Sequence, residues 1–390
     1  MRGVCLRTTQ VGHRHTPLRG REESPLVIPE DNRFHSDPDG LLADSEHWID
    51  GWRAEQPDPA DRFVVARLTQ LLRAHERAGR GWAGASVDDV LVEVSERGLR
   101  VRENVVLRDP DGEIRAWGGV HDRAEGRMLF VHVVDRDLSD GVAEACSSML
   151  FSWAEEQARA VGAARGLDVQ QIDTGAFADD DRQHAWLEAD GFRRARRWLQ
   201  MSRPVAPEEA GLVPDPAGWG KDRVTIRLVR RTPEGLPDAV DVQAVHLVLE
   251  EAFRDHFNSW EETFPEFVYR LREDPGHRWD HWWLAELDDS LAEGLGPAPV
   301  GALVGTQLDT NGGPDGSYVS YIGVVDAARG QGVAKALLRT IVADAAARGR
   351  DRVGLEVDAD SPTGAEGLYT SLGWETRYVT ESWHRDVRVG

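Results

Sequence analysis

Apolar positions recur along this chain with two alternating periods, and the alternation outlines its elements. Over residues 60–77, Phe63, Val64, Leu68, Leu71, Leu72 and His75 fall at helical spacing. Residues 105–107 and 114–120 are apolar runs flanking Asp109-Pro110-Asp111-Gly112, a turn composition that predicts a hairpin. Residues 128–134 predict another strand. Residues 141–161 read as a helix with Val142, Cys146, Met149, Leu150, Trp153 and Ala160 on one side. A strand at 167–172, a helix at 184–189 and strands over 192–201 follow.

Between 204 and 221, Pro204, Pro207, Pro214 and Pro216 interleave with Gly211, Gly218 and Gly220, and no period survives. That composition predicts a linker over 206–221. Strand character restarts at 224–229, followed by a helix at 236–253 and strands at 282–287, 300–308 and 318–325. Residues 332–347 give the clearest helix, with Val333, Leu337, Leu338, Ile341, Val342 and Ala345 forming one apolar stripe. A buried strand at 353–357, a short helix at 365–372 and closing strands at 375–389 complete the chain.

The order of elements repeats. Leu138-Ser139-Asp140-Gly141-Val142-Ala143 opens the long helix of the first half, as Arg329-Gly330-Gln331-Gly332-Val333-Ala334 opens that of the second. Later, Trp186-Leu187-Glu188-Ala189-Asp190-Gly191-Phe192 parallels Leu368-Tyr369-Thr370-Ser371-Leu372-Gly373-Trp374. Two correspondences in the same order predict a duplication. The expected division is a disordered or extended tail over 1–39, domains at 40–205 and 222–390, and the linker between them.

Composition narrows the function classes. A chain of 390 residues is long enough for two cores. Its formal net charge of −22 repels polyphosphate, which argues against nucleic acid as a partner. No apolar run approaches the ~18 residues of a membrane helix, and no apolar segment follows the early arginines as a secretory signal requires. Cys5 and Cys146 make no metal pattern or disulfide framework, which suits a reducing cytoplasm and predicts no metal cofactor. Lys221 and Lys335 are the only lysines; this bias toward arginine says nothing about a site.

The chemistry concentrates at the second glycine-rich loop. An apolar strand ends near Val324, four residues intervene, and Arg329-Gly330-Gln331-Gly332 then turns into the amphipathic helix. Glycines permit positive φ and close approach of backbone to a ligand. Amide groups entering a helix point outward without partners, with the positive end of the dipole behind them. Such a loop cradles an anion of the pyrophosphate type, and Arg329 adds charge at its rim. A P-loop signature and the third glycine of a dinucleotide fingerprint are both missing.

This loop resembles the acyl-coenzyme A signature of the GNAT superfamily of N-acetyltransferases, [Q/R]-x-x-G-x-[G/A], matched by Arg329, Gly332 and Ala334. The family pattern also has a strand ending in Val ahead of that Arg, met by Val324, then Leu368-Tyr369 and Gly373-Trp374. The resemblance covers nearly all of 222–390. It implies an α/β (α+β) fold of two GNAT-like domains, each a mixed, mostly antiparallel sheet flanked by helices, with a splayed pair of parallel strands. The strands at 318–325 and 353–357 would form the pair in the second domain.

The resemblance also implies roles. The backbone of Ile322, Gly323 and Val324 would pair with pantetheine or the thioester carbonyl, and Arg329, Gly330, Gln331, Gly332, Val333 and Ala334 would hold the pyrophosphate. Tyr369 would act as general acid toward the departing sulfur. Many family members carry a strand Glu as base where this chain has Ser320 and Tyr321. Glu356 is the candidate in its place, and the base stays open. Ser361 stands where an Asn often precedes the short helix, as an N-cap. His256, Phe257 and Trp260, in an aromatic-dense stretch, are candidates for the acceptor side.

In the first copy, Asp140 puts a carboxylate where phosphate would dock, and Leu187 stands in place of Tyr369. The expected function is therefore transfer of an acyl group from acyl-CoA, acetyl-CoA by default, to a primary amine of a small molecule. Residues 40–205 would be a silent copy, in a tandem layout similar to that of mycothiol synthase. A non-catalytic acyl-CoA-binding or scaffold protein is the alternative. Acceptor identity, acyl chain length and oligomeric state stay open.

Overall fold

A computed structural model describes residues 48–123, 126–211, 224–254, 263–287, 297–308, 315–361 and 364–390. The 1–39 tail and most of the 206–221 linker lie outside them. So do His256, Phe257 and Trp260.

The chain divides into two compact units, Trp198–Tyr378 and Arg2–Arg197 with Val379–Gly390. In the second of these, β1 (Arg53–Glu55) is followed by α1 (Arg62–Arg80), α2 (Val87–Val94), β2 (Arg102–Arg108), β3 (Ile114–Asp122) and β4 (Arg127–Val134). Helix α3 (Asp140–Arg165), β5 (Val169–Phe177) and α4 (Asp181–Ala189) come next, and then β6 (Arg193–Pro204). The same order returns as β7 (Val224–Leu228), α5 (Ala239–Phe253), α6 (Phe264–Arg272), β8 (His277–Leu287), β9 (Ala298–Leu308) and β10 (Gly316–Val324). Helix α7 (Val333–Ala347), β11 (Arg352–Asp358), α8 (Ala365–Ser371) and β12 (Glu375–Arg388) complete it.

Strand pairing repeats with the order. β2, β3 and β4 are antiparallel neighbours and β4 runs parallel to β5; β8, β9 and β10 are antiparallel and β10 runs parallel to β11. The duplication read from two sequence correspondences is thus a duplication of topology.

The closing strands depart from the expected division at 222–390. β11 pairs with residues 198–204 of β6, from Arg352 opposite Pro204 to Asp358 opposite Trp198. β5 pairs with β12 from Phe177 opposite Thr380 to Val169 opposite Arg388. Each unit is therefore closed by a strand from the other half of the sequence. Pairing fixes this assignment, and local composition carries no trace of it: Met201 enters the core of the first unit, Trp383 and Val387 that of the second.

Local sequence explains the elements that frame the second glycine loop. Asp238 caps α5 by accepting from the N–H groups of Val240 and Asp241. Arg227 of β7 then grips Asp241 at 2.6 Å and Glu286 of β8 at 2.6 Å, tying α5 to the sheet edge. Helix α6 opens on a capping box between Thr263 and Glu266 with a proline in its first turn. Helix α7 buries Leu337, Leu338 and Ile341 against the sheet. No helix among the described residues is long and apolar enough to cross a membrane.

Candidate active site

The site begins where two parallel strands part. β10 and β11 pair only through Ser317, Tyr318 and Val319, opposite Val353, Gly354 and Leu355. A bulge at Ser320 interrupts the β9–β10 register between Val319 and Tyr321. From Tyr321 onward β10 still pairs with β9, so its other edge carries backbone groups with no strand beside them. Ile322, Gly323 and Val324 lie on that edge.

Packing assigns the two faces of this sheet. Gly301 and Gly305 face α7: a Cβ at Gly301 would lie 2.8 Å from Val333, and one at Gly305 3.0 Å from Ile341. Through the register, Val319 and Leu355 share that face. Gly323 faces α5, where a Cβ would lie 2.8 Å from that of Ala252, so glycine lets the helix close on the strand. Tyr321, Ser320, Thr306 and Glu356 share the α5 and α6 face, and the Ser320 and Thr306 hydroxyls sit 3.4 Å apart.

Beyond Val324 the chain makes a short 3-10 turn at Asp326–Ala328 and enters the loop. Gly330 and Gly332 have φ of +73° and +85°, the left-handed region where a side chain strains the backbone. A Cβ at either would meet nothing within 4 Å, so these glycines serve the backbone path and leave open space beside it. Gly332 is the N-cap of α7 and provides no side-chain acceptor. The Ala336 N–H bonds to the Gly332 carbonyl, and the amides of Val333, Ala334 and Lys335 precede that bond. Val333 is buried, so what it offers outward is its backbone.

Two side chains brace the loop more than its sequence suggests. Arg329 binds Asp326 at 2.7 Å and donates from Nη2 to the Ala252 carbonyl at 3.0 Å, near the end of α5. Its charge therefore lies at a helix C-terminus as well as at the rim, where it is half-exposed. Gln331 Nε2 donates to the Ala327 carbonyl at 2.9 Å.

Tyr369 comes from α8 and packs edge-on to Trp374, ring centroids 6.4 Å apart. Burial pushes its phenol up to about 12, so it stays protonated across the physiological range. Glu356, on β11 just past the last paired residue, accepts from Gln200 Nε2 of β6. Ser361 is not the cap of α8, as its position suggested. Gly364, in the left-handed conformation, takes that place, and the Ser361 N–H instead closes a turn onto the Asp358 carbonyl at 3.3 Å.

The sequence reading passed over Gln200 and Arg270. Arg270, in the last turn of α6, donates to the Tyr321 hydroxyl and lies over the Tyr321 ring at 5.1 Å and the Phe267 ring at 5.8 Å. The capping box at Thr263 and the spacing of Phe264, Phe267 and Leu271 were available signals for α6. Nothing local marks Gln200, because it reaches Glu356 through long-range pairing.

The corresponding place in the other unit is built differently. β4 and β5 pair from Arg127 to Phe130, opposite Gln171 to Thr174, and then cease to pair. There Gln183 Nε2 donates to the Gly175 carbonyl at 3.1 Å, and Arg182 Nη2 to that of Val134 at 3.5 Å. Arg136 binds Asp180 and, at 2.9 Å, His75. Each of the parting edges thus has one carbonyl bonded by a side chain of the same unit. Helix α3 is preceded by Ser139 in extended conformation rather than by a left-handed glycine, and Leu187 is fully buried.

The parting of β10 from β11, the open edge of β10 and the left-handed glycine that caps α7 thus lie together in the unit Trp198–Tyr378. Residues 246–374 match the profile described as Acetyltransferase (GNAT) family, and that segment is a GNAT acetyltransferase domain. Among solved structures, a GCN5-related N-acetyltransferase from Sphaerobacter thermophilus is similar at 24% identity and a TM-score of 0.66, over 88% of this chain and 98% of that one. A tandem GNAT protein from the clavulanic acid biosynthesis pathway is similar at 15% identity and a TM-score of 0.60, over 86% of this chain and 98% of that one. N-myristoyltransferase of Saccharomyces cerevisiae, with bound myristoyl-CoA, follows at 9% identity and 0.52, over 90% and 86%. No curated protein matches the chain.

Proposed function

We propose that this chain transfers an acyl group, acetyl by default, from acyl-CoA to the primary amine of a small molecule by direct attack on the thioester. The observation that carries this reading is the unpaired β10 edge running into a loop whose two left-handed glycines face open space. The pyrophosphate would sit on the amides entering α7, with Arg329 at the rim. Pantetheine would extend along Ile322, Gly323 and Val324 as a substitute strand, leaving the thioester near Tyr321 and Glu356. A backbone donor there would stabilise the oxyanion as the amine attacks.

Tyr369 serves the departing sulfur. Full proton transfer from a phenol at about 12 to a thiolate whose conjugate acid lies near 8.5 is uphill by roughly 3 pK units, or about 4–5 kcal/mol. The phenol therefore acts as a hydrogen-bond donor while charge builds on sulfur, and its proton follows only as the amine's proton leaves. Glu356, on the acceptor face, takes the amine's proton directly or through water. The unit containing α3 would be silent, because Asp140 opposes phosphate at the start of its helix, no left-handed glycine precedes that helix, and Leu187 stands in place of the tyrosine.

Free-thiol release from acetyl-CoA, measured over a panel of amines beside direct CoA binding, tests the reading. Amine-dependent release supports it. CoA binding with no release on any amine assigns the chain instead to acyl-CoA binding without transfer.

A further inference from the structure

Helix α7 carries its charge against its own dipole. Its three charged residues are Lys335 in the first turn, Arg339 in the second and Asp344 toward the far end, with no acid in the first turn and no base in the last. A helix favours anions at its N-terminal end and cations at its C-terminal end, and like charges at i, i+4 repel. Asp344 is compensated by Arg348 at 2.9 Å. Lys335 and Arg339 are both exposed, and neither side chain makes a hydrogen bond or an ion pair among the described residues. Their neighbours in sequence are held differently: Arg329 pairs with Asp326, and Arg352 with Asp351.

We propose that Lys335 and Arg339 bind the phosphate monoester on the ribose of coenzyme A, and so select the phosphorylated carrier over dephospho-CoA. This rests on the acyltransferase reading above, which seats the pyrophosphate on the amides entering α7. Coenzyme A carries its third phosphate apart from that pyrophosphate, so a second anionic group has to be met outside the cradle. Residues four apart share a helix face, and the rise from Lys335 to Arg339 is about 6 Å. The pair therefore continues from the cradle along the exposed side of the helix. A guanidinium can fork onto a phosphate, and an ammonium on a flexible stem adds a point charge beside it. On a molecule of net charge −22, two cations without carboxylate partners are what draw a phosphate to that face.

The test is a calorimetric titration of CoA and of dephospho-CoA into the full chain, into Arg339→Gln and into the double variant Lys335→Gln/Arg339→Gln. The wild type is expected to bind CoA about tenfold or more tightly than dephospho-CoA, as charge-assisted contacts require. That margin should shrink as ionic strength rises. Arg339→Gln should lose most of it through weaker CoA binding, with the affinity for dephospho-CoA within about twofold of wild type. Arg339→Lys should keep part of the margin, and the double variant should lose all of it. Without ligand, neither substitution should lower the melting temperature, because each removes a cation that the start of the helix disfavours.

Equal affinity of the wild type for the two nucleotides overturns the inference and leaves the acyltransferase reading standing. So does a margin that survives in the double variant. An equal loss on both nucleotides in Arg339→Gln also overturns it, because the arginine would then be a brace for the helix. Failure of the wild type to bind either nucleotide sinks the acyl-CoA reading itself.

Discussion

Val319 and Leu355 form the last pair between β10 and β11, and everything assigned to the acyl donor and the acceptor lies beyond them. Up to that pair the strands are joined as ordinary parallel neighbours. After it, the bulge at Ser320 turns β10 while its pairing with β9 continues. The strand edge is thereby held rigid on one side and left open on the other, the geometry in which a pantetheine arm can take the place of a strand.

Tyr369→Phe keeps the ring against Trp374 and removes only the hydroxyl. Turnover is expected to fall about a hundredfold or more, the lower end of what a positioned proton donor contributes, with acyl-CoA binding unchanged. With the phenol held up to about 12, no loss of wild-type activity between pH 7 and 10 should trace to Tyr369. Steady-state kinetics across that range check both statements. Turnover of the variant within about twofold of wild type excludes the role.

The exchanged closing strand has a consequence for truncation. A chain ending at Tyr378 loses the partner of β5 along with Trp383 and Val387, both buried. Deleting a buried Trp alone costs about 3–5 kcal/mol, and the loss of strand pairing adds to it. Thermal melting of the truncated chain should show early unfolding of the unit built on α1 and α3. Melting indistinguishable from that of the full chain would mean that β5 does not depend on β12.

Acid should weaken that same unit through His132. Burial pulls its imidazole down to about 3, with His75 adding to the effect, and its Nε2 lies 3.0 Å from Ser147 Oγ. The unfolded chain protonates near 6.5 while the folded one does not, so the unfolded state binds more protons between those values. Stability therefore falls as pH drops below 6.5, by about 2–3 kcal/mol at pH 4.5 from this residue alone. His132→Gln cannot gain the charge, and its melting temperature should decline less steeply from pH 7 to 4.5. Parallel declines in the two proteins would rule out this origin.

The sequence made the second glycine loop legible because its constraints are local. Positive φ at Gly330 and Gly332 demands glycine, and the stripe from Val333 to Ala345 demands a sheet beneath it. Topology was legible through repetition, since the halves share an order that the pairings reproduce. What escaped was long-range. The union of β11 with residues 198–204 puts Gln200 beside Glu356, and no property of either neighbourhood announces it. The cap of α8 shows a different failure, where a polar Ser361 looked apt but the chain turned once more and capped on Gly364.

The most direct measurement is a calorimetric titration of CoA into the full chain and into Gly332→Ala. At φ of +85° a Cβ costs about 1–2 kcal/mol of strain with no clash to relieve it, so the loop is expected to abandon its conformation while the rest of the fold stands. The wild type should bind one equivalent of CoA, and the variant should bind at least tenfold more weakly with a melting temperature close to that of the wild type. Two equivalents, or an affinity that ignores Gly332→Ala, would contradict a single working cradle at residues 329–334.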